Sequence, residues 1–311
     1  MPSVTPLTIV GLGEAVFDIF PDRSVLGGAT LNLAVCVHQF LQLLGGEGII
    51  ASRIGDDDFG RRLHRSLKDR KMDTDFVQLD PTRPTGQILV TFEKGEPSYE
   101  ICSPTAWDAM QFDRRWNMLA RSCNALCFGT LAQRNAMSRE AIQRFLRTAS
   151  QSLKLLDLNL RQNYFSAELI KQSLKLADAA KLNELELVQI GQLLNWHPGE
   201  TSDAAWCDRQ CLALAATYEL EFVALTRGPR GTVLYCNNAR HESERVSYPP
   251  HPAADSVGAG DAASAGLLLG HVLGWTPLRT LELANHLGAF LASVPGATPK
   301  LSNTLLERVT S

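Results

Sequence analysis

In Asp255-Ser256-Val257-Gly258-Ala259-Gly260-Asp261, two glycines stand just before an apolar run, AASAGLLLGHVLG, that fills 262–274. The run predicts a buried helix over 258–273, and the glycines let the backbone turn tightly into it. The first N–H groups of a helix have no carbonyl to bond, so they point outward and, with the helix dipole, stabilise an anion. A carboxylate at Asp261 is open to two readings. It complements the helix dipole, or it stands beside a bound phosphate as a base that takes a proton from an attacking hydroxyl. An anion hole of this kind suits phosphoryl transfer, whose transition state needs negative charge stabilised on the transferring group.

Working outward, short apolar runs alternate with segments of helical period, the pattern of βαβ units around a mostly parallel sheet flanked by helices. Strands are expected at 7–12, 47–54, 125–129, 155–160, 222–228 and 231–236. Helices are expected at 28–44, 59–70, 138–152, 167–177, 185–194, 204–218 and 278–293. The stretch TGQILVTFEKGEPSYEIC (85–102) breaks the rhythm, since two alternating strands around Lys94-Gly95-Glu96-Pro97 read as a hairpin. It is either a β lid over a cleft or an extension of the main sheet edge. No repeat, low-complexity tract or Pro/Gly/Ser linker divides the 311 residues, so 1–311 is read as one α/β domain with lid segments at about 17–26 and 85–107.

Thirty basic against thirty-three acidic residues leave a net charge of −3, without the cationic excess that a nucleic-acid partner requires. The first twenty residues lack a signal peptide's basic start, and no apolar run reaches membrane-spanning length. Seven scattered cysteines, odd in number and without C-x-x-C, predict free thiols in a reduced cytoplasm. The pairs Cys123/Cys127 and Cys207/Cys211 would each share a helix face as buried small hydrophobes. Three decoys fall away. Gly11-x-Gly13 has Val16 where a dinucleotide fingerprint needs its third glycine, Asp58-Phe59-Gly60 lacks the other protein-kinase motifs, and no P-loop sequence occurs.

The 255–261 motif resembles the D-T-x-G-A-G-D signature of the ribokinase-like (PfkB) carbohydrate kinases, with Ser256 keeping the hydroxyl of the usual Thr. Other elements resemble the family in the same order. They are Gly27-Gly28-Ala29-Thr30-Leu31-Asn32 for G-G-A-P-A-N, Ser52 to Gly60 for G-x-D-x-x-G, and Asp157-Leu158-Asn159-Leu160-Arg161 for D-x-N-x-R. Asn183-Glu184-Leu185-Glu186 and Thr226-Arg227-Gly228-Pro229-Arg230-Gly231 follow for N-x-x-E and T-x-G-x-x-G.

The resemblance implies ATP and Mg²⁺ as cofactors, Asp261 as base, and the Gly258, Ala259, Gly260 and Asp261 amides around the transferring phosphate. It implies Asn183, Thr226, Gly228 and Gly231 on the nucleotide side, with Glu186 organising Mg²⁺ through water. It further implies K⁺ on backbone carbonyls near Asp255 and Val257. For the acceptor it implies Asp18, Gly28, Asn32, Trp107 and Arg161. Asp18 follows the first strand, at whose carboxyl end open α/β sheets bind ligands. The 17–26 connection, Pro84-Thr85-Gly86, Tyr99 and Ala106-Trp107-Asp108 resemble bacterial fructokinases, which makes fructose the expected acceptor. Ribokinase, 2-keto-3-deoxygluconate kinase, nucleoside kinase and a non-catalytic sugar sensor on the same fold are the alternatives. The lid hairpin has alternating apolar positions and would also suit a homodimer contact.

Overall fold

The structure, a computed structural model, describes residues 6–93, 96–196 and 203–309. Its strands are β1 (Thr8–Leu12), β2 (Val16–Ile19), β3 (Ser24–Gly27), β4 (Glu47–Gly55), β5 (Val77–Asp80), β6 (Gly86–Glu93) and β7 (Glu96–Ile101). They continue with β8 (Ala125–Gly129), β9 (Leu153–Asp157), β10 (Ala179–Asn183), β11 (Phe222–Thr226), β12 (Thr232–Cys236) and β13 (Ala239–Glu242). The helices are α1 (Ala29–Leu41), α2 (Asp58–Asp69), α3 (Arg114–Ser122), α4 (Ala136–Thr148), α5 (Ala167–Leu176), α6 (Glu184–Leu193), α7 (Ala204–Tyr218), α8 (Ala259–Val272) and α9 (Pro277–Leu291).

Nine strands form one sheet in the order β13-β12-β11-β10-β9-β8-β1-β4-β5, parallel except where β12 and β13 join antiparallel. Side chains alternate through it: Ala125 and Cys127 of β8 face α1, α8 and α9, while Leu126 and Phe128 face α3 to α7. Both faces are thus covered, as a parallel sheet requires. Caps end the helices where the sequence supplies them. The Asp57 carboxylate accepts the Gly60 N–H at 2.8 Å to start α2, and Asn183 and Glu186 form a reciprocal capping box on α6.

The 85–102 hairpin does not extend this sheet. β6 pairs in parallel with β2, giving a separate four-stranded sheet in the order β3-β2-β6-β7. Lys94 and Gly95 of the expected turn lie outside the described residues, and Glu96 and Pro97 already belong to β7. β2 and β3, four residues each, are too short for their period to show in sequence. The expected 155–160 strand is instead β9, ending at Asp157, because Asn159 takes φ +40° and turns the chain out of the sheet. β10 went unread because Lys181 interrupts its apolar run. Of the cysteine pairs, Cys207 and Cys211 share a buried face of α7, whereas Cys123 caps α3 and Cys127 lies in β8. No helix among the described residues is long and apolar enough to cross a membrane.

Candidate active site

The first turn of α8 sits at the carboxyl end of the large sheet. Gly258, its N-cap, takes φ +80°, and a Cβ there would lie 2.9 Å from that of Ala297, so position 258 is closed to other residues on both counts. The Ala259 N–H bonds the Ser256 carbonyl at 3.3 Å. The amides of Gly260 and Asp261 remain as first-turn donors with no acceptor in their own helix. A Cβ on Gly260 would come within 2.9 Å of Lys181 Nζ, so a buried ammonium lies directly against this turn.

That ammonium is held by strand register. Lys181 of β10 stands beside Asp157 of β9 and donates to both its carboxylate oxygens at 3.1 Å, and Ser264 of α8 donates to the same carboxylate at 2.9 Å. Burial works against the Lys181 charge, but Asp157, Glu186 and Asp261 outweigh it and hold its pKa above the ordinary lysine value. The trio ties α8 to two strands and sets a positive charge among three carboxylates. Sequence reading singled out Asp157 only as part of a motif and missed Lys181. A lysine in the middle of an otherwise apolar strand is the signal that would have found it.

Asp261 accepts the Asn32 side-chain amide at 2.8 Å, which joins α1 to α8 across 229 residues of sequence. Burial raises the Asp261 pKa to about 6 and the nearby Asp157 adds to the rise, against the pull of Asn32, Lys181 and Arg161. Asp18 on β2 is likewise raised by burial to about 6, with Arg161 opposing and Asp255 reinforcing. Glu14, between β1 and β2, is 4% exposed, leaves its Oε2 without a partner, and is raised by burial to about 7, with Asp261 also pushing it up. Arg161 is exposed at the end of the turn after β9, and its field lowers all three of these carboxyls. A carboxylate with a pKa near 6 is ionised at neutral pH yet basic enough to take a hydroxyl proton.

On the other side of Asp261 lies a cleft of about 510 Å³. It is lined by Asn183, Thr226, Gly228 and Gly231 together with Ser256, Ala259 and Gly260, so the expected nucleotide residues and the anion hole share one cavity. The wall made by α9 and its C-cap, with Asn285, Gly288 and Ala292, was not foreseen. Asn285 holds the cleft's shape, its Oδ1 accepting the Thr232 N–H at 2.8 Å and its Nδ2 donating to Ser243 at 2.8 Å. The lining is mostly small residues and backbone, carries no acidic or basic side chain, and has the Tyr248 phenol as its one large group.

Among the described residues, no group of three or more His, Cys, Asp or Glu is arranged to hold a metal. Glu186 spends Oε1 on the Leu160 N–H at 3.0 Å and Oε2 on the Asn183 N–H at 2.9 Å, and Asp157 is committed to Lys181. Each of these carboxylate oxygens already accepts a bond from the protein. The donor set suits Mg²⁺ held through its waters, several of which that ion usually keeps.

Of the residues expected for an acceptor, Gly28 starts α1, Asn32 bonds Asp261, and Arg161 acts on both Asp18 and Asp261, so these lie in one neighbourhood. Trp107 does not. It is fully buried in the core, with the Arg134 guanidinium 4.0 Å above its ring and its indole nitrogen against Gly86, so it presents no surface to a ligand. Asp255 and Val257 are exposed beside the α8 turn. There the Asp255 carboxylate accepts the Val257 and Gly296 N–H groups at 3.1 and 3.2 Å and fixes the local loop.

Residues 20–304 match the pfkB family of carbohydrate kinases. The chain is 30% identical over 315 residues to the fructokinase of Escherichia coli, covering 93% of this chain and 94% of that protein. It is 27% identical over 315 residues to the aminoimidazole riboside kinase of Salmonella typhimurium, with 93% and 90% covered. Among solved structures, the fructokinase of Xylella fastidiosa with bound ATP superposes with a TM-score of 0.79 at 23% identity, over 98% of each chain. The architecture is therefore ribokinase-like.

Proposed function

This chain belongs to the pfkB family of carbohydrate kinases, and we propose that it transfers the γ-phosphoryl group of ATP to a hydroxyl of fructose with Asp261 as general base. The observation that carries the mechanism is the placement of Asp261 in the first turn of α8, between a neutral cleft and a set of acceptor-side carboxyls. Fructose rests on the likeness to the Escherichia coli fructokinase.

In this reading the acceptor lies between Asp18, Gly28, Asn32 and Arg161, with one hydroxyl towards Asp261. Asn32 holds the Asp261 carboxylate so that a free lone pair faces the hydroxyl. Asp261 takes the proton, the sugar oxygen bonds to the γ-phosphorus, and the bond to the β–γ bridging oxygen breaks to release ADP. The Gly260 and Asp261 amides stabilise charge on the transferring group. Asn183, Thr226, Gly228 and Gly231 take the nucleotide. Mg²⁺, when bound, neutralises phosphate charge, and Glu186 with Asn183 would hold it through water. A monovalent cation such as K⁺ would sit on carbonyls near Asp255 and Val257. Residues 1–311 work as one unit in which segments 17–26 and 85–107 form the lid, and that lid also offers a homodimer contact.

The test is ATP-to-ADP turnover with Mg²⁺ and K⁺ against fructose, ribose, tagatose, 2-keto-3-deoxygluconate, adenosine and fructose 6-phosphate. Turnover fastest on fructose supports the reading. Turnover on another compound moves the acceptor and keeps the chemistry, and sugar binding without turnover on any of them points to a sensor or to an acceptor outside the panel.

A further inference from the structure

β7 is the edge strand of the small sheet, and a free edge is a row of unpaired carbonyls. Here the row is gripped by side chains from the segment after β9. Gln162 Nε2 donates to the Tyr99 carbonyl at 2.8 Å, and the Tyr164 hydroxyl donates to the Ile101 carbonyl at 3.5 Å. Carbonyls two residues apart on a strand point the same way, so both bonds fall on the one outward edge. One residue further, Arg134 Nη2 donates to the Cys102 carbonyl at 2.7 Å.

The three contacts differ in strength. Arg134 is 6% exposed, pairs with both Asp108 oxygens at 2.8 Å, and is stacked between Trp107 and Tyr164 at 4.0 and 4.8 Å. A buried, bidentate, stacked guanidinium is not released in a working cycle. The Gln162 bond is exposed and neutral, a kind that contributes little net stability and opens readily. The sheet edge is thus pinned where it rejoins the body and fastened lightly further out.

The fastening segment is also the one that carries Arg161. Asn159 and Gln162 both take left-handed backbone, φ +40° and +47°, one on each side of Leu160-Arg161. Non-glycine residues in that region are held there only when their surroundings fix them. Arg161 acts electrostatically on Asp18, and Asp18 lies on β2 of the same small sheet that Gln162 fastens.

We infer that Gln162 is a positioning residue: its bond to the Tyr99 carbonyl latches the small sheet that carries Asp18 to the segment that carries Arg161, so that the acceptor sugar is held firmly only with the latch made. The inference rests on the acceptor side assigned above. Arg134 is the fixed pivot and Gln162 the releasable end.

Two variants separate the latch from backbone effects. Gln162→Gly removes the side chain and suits the left-handed backbone. Gln162→Asn keeps the amide and tolerates that backbone but is one methylene short. The first readout is amide hydrogen exchange over β6 and β7 (86–93 and 96–101) in the protein alone, which needs no acceptor and stands whatever the sugar panel returns. Both variants are expected to exchange about three- to tenfold faster there, the range of one ordinary hydrogen bond. With the sugar that turns over, KM for the sugar rises by a similar factor, KM for ATP is unchanged, and kcat falls by less than KM rises. Gln162→Lys, a donor with reach, restores both readouts. Unchanged exchange in both variants overturns the latch. Faster exchange with an unchanged sugar KM, or a loss spread equally over sugar and ATP, overturns the positioning role.

Discussion

The two sides of Asp261 are built from different materials. The proposed nucleotide side is mostly backbone and small residues: a helix start at Gly258, the turn Gly228–Gly231, and Asn285, Gly288 and Ala292 on α9 and its C-cap, with Tyr248 the one large group. The proposed acceptor side is charge: Glu14, Asp18, Asp261 and Arg161, with Asp157 and Lys181 beneath. Backbone donors need no proton balance and lose nothing to burial once they face a phosphate. Buried carboxyls do, and each is pushed towards neutrality by the loss of water. The acceptor half should therefore respond to pH and to charge-changing substitutions, and the nucleotide half should not.

The largest break in that comparison is Asp261→Asn. It is expected to lower kcat by about 10²–10⁴-fold, as removal of a general base does, while ADP affinity by calorimetry stays within about twofold. In the unmodified enzyme kcat is expected to fall as pH drops through about 6, because protonated Asp261 could not take the hydroxyl proton. A kcat that stays level down to pH 5 would separate Asp261 from the chemistry.

Next comes Lys181→Met, which leaves Asp157 buried without its counter-charge. Urea unfolding should show a loss of about 3–5 kcal/mol, the cost of breaking a buried ion pair from one side. The acid limb of kcat should also move to higher pH, since Lys181 is one of the groups holding the Asp261 pKa down. Stability lost without movement of the limb would make Lys181 a fold residue alone.

The smallest effect is Glu14→Gln. Burial raises the Glu14 pKa from 4.5 to about 7, so the folded state binds its proton more tightly than the unfolded state does. Its contribution to stability is complete below pH 4.5 and is lost as pH rises through about 7. Gln stays neutral throughout, so the variant should gain about 1–3 kcal/mol over the parent at pH 8 and nothing near pH 4.5. Thermal melts at the two pH values decide it, and an equal shift at both would mean that Glu14 is not charged at pH 8.

That the residues of the proposed nucleotide half share one cleft was legible in advance because its parts are local. Gly258 and Gly260 announce a helix start, and Thr226, Gly228 and Gly231 lie within six residues of sequence. Asn183 and Glu186 likewise read as a pair, and they cap α6 together. In the proposed acceptor half most residues could be named in advance but their contacts could not, because the partners are far apart in sequence. The bond from Asn32 to Asp261 and the packing of Lys181 against Gly260 leave no local pattern. Trp107 misled for the converse reason: an aromatic beside an aspartate looks the same whether it faces a ligand or, as here, Arg134 in the core.

By itself the sequence determined the alternation of strands and helices, the glycine-started α8 and the order of the motifs, since period, turn chemistry and spacing are properties of neighbouring residues. Only the tertiary structure decided that β2 and β3 join β6 and β7 in a second sheet. It alone set Lys181 beneath the anion hole, and it moved the pKa values of Glu14, Asp18 and Asp261 towards neutrality. Strand pairing, ion pairing and desolvation depend on what the folded chain brings together, and none of them is written in any single stretch of it.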